Sequence, residues 1–284
     1  MDIKLGLQMW SVRSNFEKDY IGTLEKIAEI GYTNLQVNSH EIIPEGMTFG
    51  KDLRAPELRK QLDRLGLKAV SAHFVPTPDM RLEAIAEDMK TLGADTLACA
   101  IKFWPNREEV LAWNDQFNRY GEILKKHGIQ LYYHNHFHEF QVFGDQSAFE
   151  MMMAGMDKDL VKFEFDTYWA VRGGQDPIYW LKKLGTRCDL IHQKDMPATT
   201  DPVILFEKFG YDSEISIDAM WETQDRTHFT EVGDGVLNIP GILEAVRKYN
   251  QAKYIFVEQD MSSRTELESI AVSYQNFTGL LSAE

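Results

Sequence analysis

The sequence predicts a single α/β domain, a closed (β/α)8 barrel spanning residues 1–284, and three observations predict it. Short strand-like runs alternate with helix-length amphipathic stretches from one end to the other. Glycines repeatedly follow a helical stretch and precede a strand, as C-cap glycines do. Several strands also carry a polar face, which a wet barrel lumen accommodates better than an open sheet buried on both sides. Eight such units, and no linker, fixed-period repeat or low-complexity tract, fit one barrel of about 250 residues.

The elements follow in order. The first strand, near 3–10, sets Ile3, Leu5, Leu7 and Met9 against Lys4, Gly6, Gln8 and Trp10. A helix near 19–30 ends at Gly31, and the second strand, near 33–38, sets Leu35 and Val37 against Asn34, Gln36 and Asn38. Helices near 55–65, 79–92 and 107–127 end at Gly66, Gly93 and Gly128, and strands near 67–74, 95–101 and 129–136 follow them. Ser147-Ala-Phe-Glu150 reads as a capping box for a helix near 147–153. The sixth strand, near 160–166, sets Val161, Phe163 and Phe165 against Lys162, Glu164 and Asp166. Asp176-Pro177 offers an N-cap and a first-turn proline for a helix near 177–184. A strand near 188–194 leads into an irregular excursion over 196–238. A helix near 239–249 then precedes the last strand, near 254–260, where Ile255 and Val257 oppose Glu258 and Asp260. Thr265-Glu-Leu-Glu268 opens the final helix, near 265–281, as a second capping box.

Composition narrows the function. A formal net charge of −14 argues against nucleic acid, whose binding rests on Lys and Arg neutralising phosphates, and against an anionic membrane surface. No apolar run approaches a membrane span, and the N-terminus lacks the pattern of a secretory leader. Cys99 and Cys188 are far apart in apolar settings and give neither a disulfide framework nor a metal cluster, so a reducing cytoplasm is the default expectation. Gly233-Asp234-Gly235 and Arg172-Gly173-Gly174 lack the strand–loop–helix context of a phosphate-binding loop and read as loop geometry, with a weak anion-binding role open for 231–238.

Barrel active sites lie at the C-terminal strand ends, where His73, His134, His136, His192, Asp166, Glu258 and Asp260 fall, with Glu139 just after the fifth strand. Mixed carboxylate and imidazole donors suit Mn²⁺, Zn²⁺, Co²⁺ or Fe²⁺. No local spacing such as H-x-x-x-H occurs, so only the fold can assemble such a site. Each residue has a bland alternative: His134, His136 and His138 as a polar turn, Asp166 as a helix cap, Glu258 as a partner of Lys4 or Lys162. Lys194 shares a face with His192, Asp195 points elsewhere and reads as structural, and Glu164, one layer deeper, reads as a partner of Lys162. His40, His127 and His228 read as surface residues, and the cysteines as core.

These residues also carry a resemblance. Leu5-Gly-Leu-Gln-Met-Trp-Ser-Val-Arg13, Leu24-Glu-Lys-Ile-Ala-Glu-Ile-Gly-Tyr32, Tyr133-His-Asn-His-Phe-His-Glu-Phe140, Phe165-Asp-Thr-Tyr-Trp-Ala170, Ile191-His-Gln-Lys-Asp195, Glu231-Val-Gly-Asp-Gly235 and Val257-Glu-Gln-Asp260 run nearly end to end. Together they resemble the sugar phosphate isomerase/epimerase family, the xylose isomerase-like TIM barrels. The resemblance implies one divalent metal held by an acid from the fifth strand, Asp166, His192 and Glu258. Many relatives carry Glu where this chain has His134, so the fifth-strand ligand lies among His134, His136 and Glu139, with Glu139 preferred. Gln36 is a second departure, standing where many relatives carry Glu.

The chemistry implied is proton abstraction beside a carbonyl through a metal-stabilised enediolate. Glu139 and Glu258 are the expected acid–base pair. His73, His136 and Lys194 are expected to bind substrate hydroxyls or polarise the carbonyl. Trp10, Phe74, Trp104 and Trp169 are expected to wall the pocket. Mn²⁺ is the expected ion, with Zn²⁺, Co²⁺ or Mg²⁺ as alternatives. The leading expectation is an isomerase or epimerase of a small sugar or keto-sugar. The runner-up is a dehydratase of an inosose or keto-sugar using the same enolate. A homo-oligomer is expected from the resemblance alone.

Overall fold

A computed structural model describes residues 3–282. Eight parallel strands close a barrel: β1 (Lys4–Gln8), β2 (Asn34–Asn38), β3 (Lys68–Phe74), β4 (Thr96–Cys99), β5 (Gln130–His134), β6 (Val161–Asp166), β7 (Leu190–Gln193) and β8 (Tyr254–Val257). Each pairs with its sequence neighbours, and β1 pairs with β8 to complete the ring. The outer layer is α1 (Tyr20–Ile30), α2 (Ala55–Leu65), α3 (Leu82–Leu92), α4 (Arg107–Lys126), α5 (Ala148–Gly155), α6 (Pro177–Leu184), α7 (Ile239–Ala245) and α8 (Glu266–Ser282). No helix among the described residues is long and apolar enough to cross a membrane.

The punctuation acts as the sequence predicts. Gly31, Gly66 and Gly93 take left-handed conformations at the ends of α1, α2 and α3. Ser147 and Glu150 form a reciprocal capping box on α5, and Asp176 accepts from the Ile178 N–H ahead of Pro177. The helix expected over 239–249 is regular only to Ala245 and continues as a π-helical turn over Val246–Asn250. Two antiparallel hairpins, Glu41–Ile43 with Gly46–Thr48 and Val142–Phe143 with Gln146–Ser147, were not legible as strands.

Alternation along the strands sorts two cores. Outward residues such as Leu7, Leu35, Phe163 and Ile255 pack against the helix layer. Inside, Ala98, Tyr132, Leu190 and Phe256 form a small apolar plug. Phe256 crosses so close to β1 that a Cβ on Gly6 would sit 2.5 Å from its ring, so only glycine fits there. Above the plug the inward residues turn polar, and this layer carries the chemistry.

Lys162 is also inward but near the bottom, where its ammonium meets Asp189 at 2.6 Å, and the Tyr132 hydroxyl donates to the same carboxylate. The expected Lys162–Glu164 pair therefore does not form, because alternate residues on one strand lie in successive layers and Glu164 sits among the histidines above. The 231–238 loop does hold an anion, but an internal one. Buried Asp195 accepts from the backbone N–H groups of Met196, Gly233, Gly235 and Leu237 at 2.9–3.1 Å. Hydrogen bonds to a charged acceptor contribute about 1.5–3 kcal/mol each. Asp195→Ala is therefore expected to lower unfolding stability by at least about 3 kcal/mol in a urea titration.

Candidate metal and acid–base site

Register brings the strand ends together. Asp166 on β6 is directly paired with His192 on β7, and Glu164 with His134 on β5. Asn135, just past β5, accepts from the Asp166 backbone N–H at 3.0 Å and donates to its carbonyl at 3.2 Å, tying the two ends. Asp166 then caps the short helix Thr167–Arg172, its Oδ1 accepting from the Trp169 N–H at 2.8 Å. The capping role and an inward carboxylate are thus compatible, because Oδ2 faces the lumen and accepts there from Lys194 at 2.6 Å.

The lumen layer is one connected network. Gln8 donates to Gln36 Oε1 at 2.7 Å, and Gln36 donates to Ser71 at 2.9 Å and to Glu164 Oε1 at 2.6 Å. Glu164 Oε2 meets His73 Nε2 at 2.5 Å and His192 Nε2 at 3.3 Å. His192 Nδ1 meets Glu258 Oε2 at 2.8 Å. Lys194 bridges Asp166 and Glu258, its ammonium 2.6 Å from each, with Asp260 at 3.8 Å. All these ionised groups are buried, where an unpaired charge costs several kcal/mol.

The electrostatics follow from that crowding. Burial opposes charge on every member, yet Lys194 and His192 hold Glu258 well below the usual carboxylate range. Burial would lower His192, but Glu164 and Glu258 raise it to about 10. Glu164 lies 3.7 Å from His134 Nδ1, beyond hydrogen-bond reach, and burial with the neighbouring cationic groups pushes the imidazole well down and keeps it neutral. Asp166 is raised by burial despite Lys194. The site therefore pairs Glu164, Asp166 and Glu258 with His192 and Lys194 and leaves the His134 imidazole neutral.

These residues fit a divalent cation. One ligand atom each from His134, Asp166, His192 and Glu258 lies within 4.8 Å of the other three. His134 Nδ1 is buried without any hydrogen-bond partner, an unusual cost unless something else binds it. Two oxygens and two nitrogens also match the donor preference of Mn²⁺, Zn²⁺ or Co²⁺. A second group, His73, His134, Glu164 and His192, meets the same spacing one layer deeper, but its carboxylate is already bonded to His73 and Gln36.

The expected fifth-strand acid is elsewhere. Glu139 is fully buried in a separate group with His136 and His138. After His134 the chain leaves the lumen and coils into the turn His138–Phe140. That turn folds the Glu139 carboxylate back onto the strand end, where it accepts from the Tyr133 hydroxyl and the His136 N–H, each at 2.7 Å. His134 stands beside Asp166, His192 and Glu258 in its place. Glu139→Gln keeps the shape and most of the bonding, so it is expected to cost about 1–3 kcal/mol of stability while leaving metal content unchanged by elemental analysis.

A cavity of about 290 Å³ opens above the network. Trp10, Phe74, His73, His134, His136, Glu258 and Asp260 line it. Lys194 and Trp169, expected to touch substrate, do not. Lys194 is held by the carboxylates beneath, and Trp169 is fully buried, packed on His136 with ring centroids 5.5 Å apart and under the Lys194 ammonium at 5.6 Å. Trp104 is likewise buried, against Tyr133. Residues missed by the sequence reading include Gln8 and Gln36, which join the network, and Ile217, Met220 and Trp221, which line the cavity from the 196–238 excursion. The inward parity of Gln8, Gln36 and Glu164 was the available signal for the first group.

Comparisons with known proteins agree with this fold. A family model described as xylose isomerase-like TIM barrel matches residues 24–275. An inosose dehydratase of Mesomycoplasma hyopneumoniae (strain 7448) is 31% identical over 266 residues, covering 85% of this chain and 81% of its own. An inosose dehydratase of Clostridium beijerinckii is 27% identical over 241 residues, 76% of each chain. The crystal structure of a sugar phosphate isomerase/epimerase from Parabacteroides distasonis is 25% identical with a TM-score of 0.74, covering 97% of this chain and 93% of the other.

Proposed function

The chain belongs to the xylose isomerase-like TIM barrel family, and on that premise we propose that it is a metal-dependent dehydratase of a sugar-like keto-polyol. One observation carries the reading: the cavity floor places a single carboxylate of the four-ligand group, Glu258, among imidazoles, with Glu139 withdrawn from it. The sequence ranks an isomerase or epimerase first, with Glu139 and Glu258 as the acid–base pair of an enolate that dehydration would share. With Glu139 removed, the cavity offers His73, His136 and Asp260 as partners for Glu258, and the imidazoles suit elimination. The inosose dehydratases among the curated relatives support the same order.

His134, Asp166, His192 and Glu258 would hold the ion, which when bound supplies Lewis-acid stabilisation of the charge developing on the substrate's oxygens. Glu258 takes the proton from the carbon beside the carbonyl. The electrons released form a carbon–carbon double bond as the β-hydroxyl departs. His73, fixed through Nε2 by Glu164 and lining the same cavity, would deliver the proton that makes the leaving group water. Trp10 and Phe74 narrow the cavity and keep bulk water from competing.

Epimerisation is a second reading, favoured by Asp260. It lines the same cavity, and burial raises its carboxyl above the usual range despite Lys194 nearby, so it suits a proton donor. Incubation of the Mn²⁺-loaded protein with keto-inositols and ketoses in deuterated water separates the two. Loss of water with an unsaturated product supports dehydration. Deuterium gain in an isomeric or epimeric product with no loss of water supports epimerisation and overturns the first reading, and no reaction across the panel sinks both.

A further inference from the structure

The cavity has two chemically distinct halves. Its floor is titratable, with His73, His134, His136, Glu258 and Asp260. Its outer wall is apolar, made by Val75, Ile101, Ile217, Met220 and Trp221. Three of these are unusually open for their type: Trp221 is 57% exposed, Val75 49% and Ile217 45%. Scattered exposed apolar side chains need no explanation, but a cluster rimming a pocket marks a binding surface. Ile217, Met220 and Trp221 all lie on one short helix, Ile217–Trp221, which Ser216 caps. The wall is therefore a built element of the fold.

A free cyclic polyol carries a hydroxyl at nearly every carbon. Held against this wall, where Gln224 is the polar side chain that accompanies Ile217, Met220 and Trp221, most of its outer hydroxyls lose water and find no partner, which costs free energy. A flat apolar group in the same place buries its own surface and that of Trp221 together. The adjoining hollow of about 340 Å³, which shares Trp10, Asn38 and Ser39 with the cavity, has Phe16, Phe49 and Leu58 in its lining but also carries Arg13, Glu17 and His40. The 217–221 wall instead shares one cavity with the titratable floor, and the apolar group is directed there.

We propose that the substrate is a keto-sugar bearing an apolar ring substituent, as in an aryl glycoside, with the substituent stacked on Trp221 and Met220. The proposal rests on the proposed function only for placing the sugar ring on the titratable floor. Two unreactive probes test it on the Mn²⁺-loaded full chain: methyl and phenyl β-D-glucopyranoside, titrated by calorimetry. The phenyl glucoside is expected to bind about tenfold or more tighter. Trp221→Ala and, separately, Met220→Ala are expected to shrink that ratio to about threefold or less, with folding checked by circular dichroism. Equal affinities, no binding of either probe, or a preference that survives both substitutions would overturn it. A phenyl preference alongside no turnover of any keto-polyol upholds this inference and sinks the reaction, so the two fail separately. Should sedimentation show Trp221→Ala turning a dimer into monomers with no phenyl preference in either form, the wall is a subunit contact and the proposal is wrong.

Discussion

Glu258→Gln is expected to slow turnover by about a thousandfold or more, because it removes the group that takes the substrate's proton. General base catalysis alone accounts for about 10²–10⁴-fold, and the change also weakens one ligand of the ion. The substitution is isosteric, so the cavity keeps its shape. Its electrostatic consequence is larger than its steric one. Lys194 and His192 both lie within 2.8 Å of the Glu258 carboxylate, and each loses one of its close carboxylate partners, keeping Asp166 and Glu164 respectively. Breaking a buried ion pair from one side typically costs about 3–5 kcal/mol. The metal-free variant should therefore melt well below the metal-free wild type. Single-turnover kinetics beside thermal unfolding check both halves; a variant that keeps more than about a tenth of wild-type turnover removes Glu258 from the role of base.

The second large effect concerns His134. Its Nδ1 is the buried nitrogen without a hydrogen-bond partner in the four-ligand group, so His134→Ala deletes a ligand without breaking any hydrogen bond of the network. Metal affinity is expected to fall more than about a hundredfold, beyond the 10–100-fold typical of groups that only support a ligand. Chelation should reveal the same coupling through stability. An ion present at about 100 times its Kd stabilises the folded state by about 2.7 kcal/mol, so its removal should lower the wild-type Tm by several degrees. His134→Ala should melt at nearly the same temperature with and without the chelator. Equal metal affinity in His134→Ala and wild type would return the fifth-strand ligand to Glu139 or His136.

The contrast between His134 and Glu139 shows where sequence reading runs out. The barrel was legible because strand alternation and cap glycines act locally, and Gly31, Gly66 and Gly93 fix boundaries without reference to tertiary contacts. Asp166, His192 and Glu258 were legible for a related reason. Each ends a strand whose inward parity is plain, and parallel register carries that information across the sheet. Glu139 lies past the end of β5, where direction is set by the turn at His138–Phe140 and not by any periodicity. Lys194 looked free because its two carboxylate partners are 28 residues before it and 64 after it in the chain. Trp221 was invisible because the 196–238 excursion has no apolar repeat to mark which side faces the cavity.

The central claim is that one cation is gripped from strands five to eight together. A crystal soaked in Mn²⁺, with diffraction recorded across the manganese absorption edge, tests it most directly. One strong anomalous peak is expected within about 2.0–2.3 Å of ligand atoms on His134, Asp166, His192 and Glu258. A peak beside His136, His138 and Glu139, with nothing between Asp166 and His192, would contradict it.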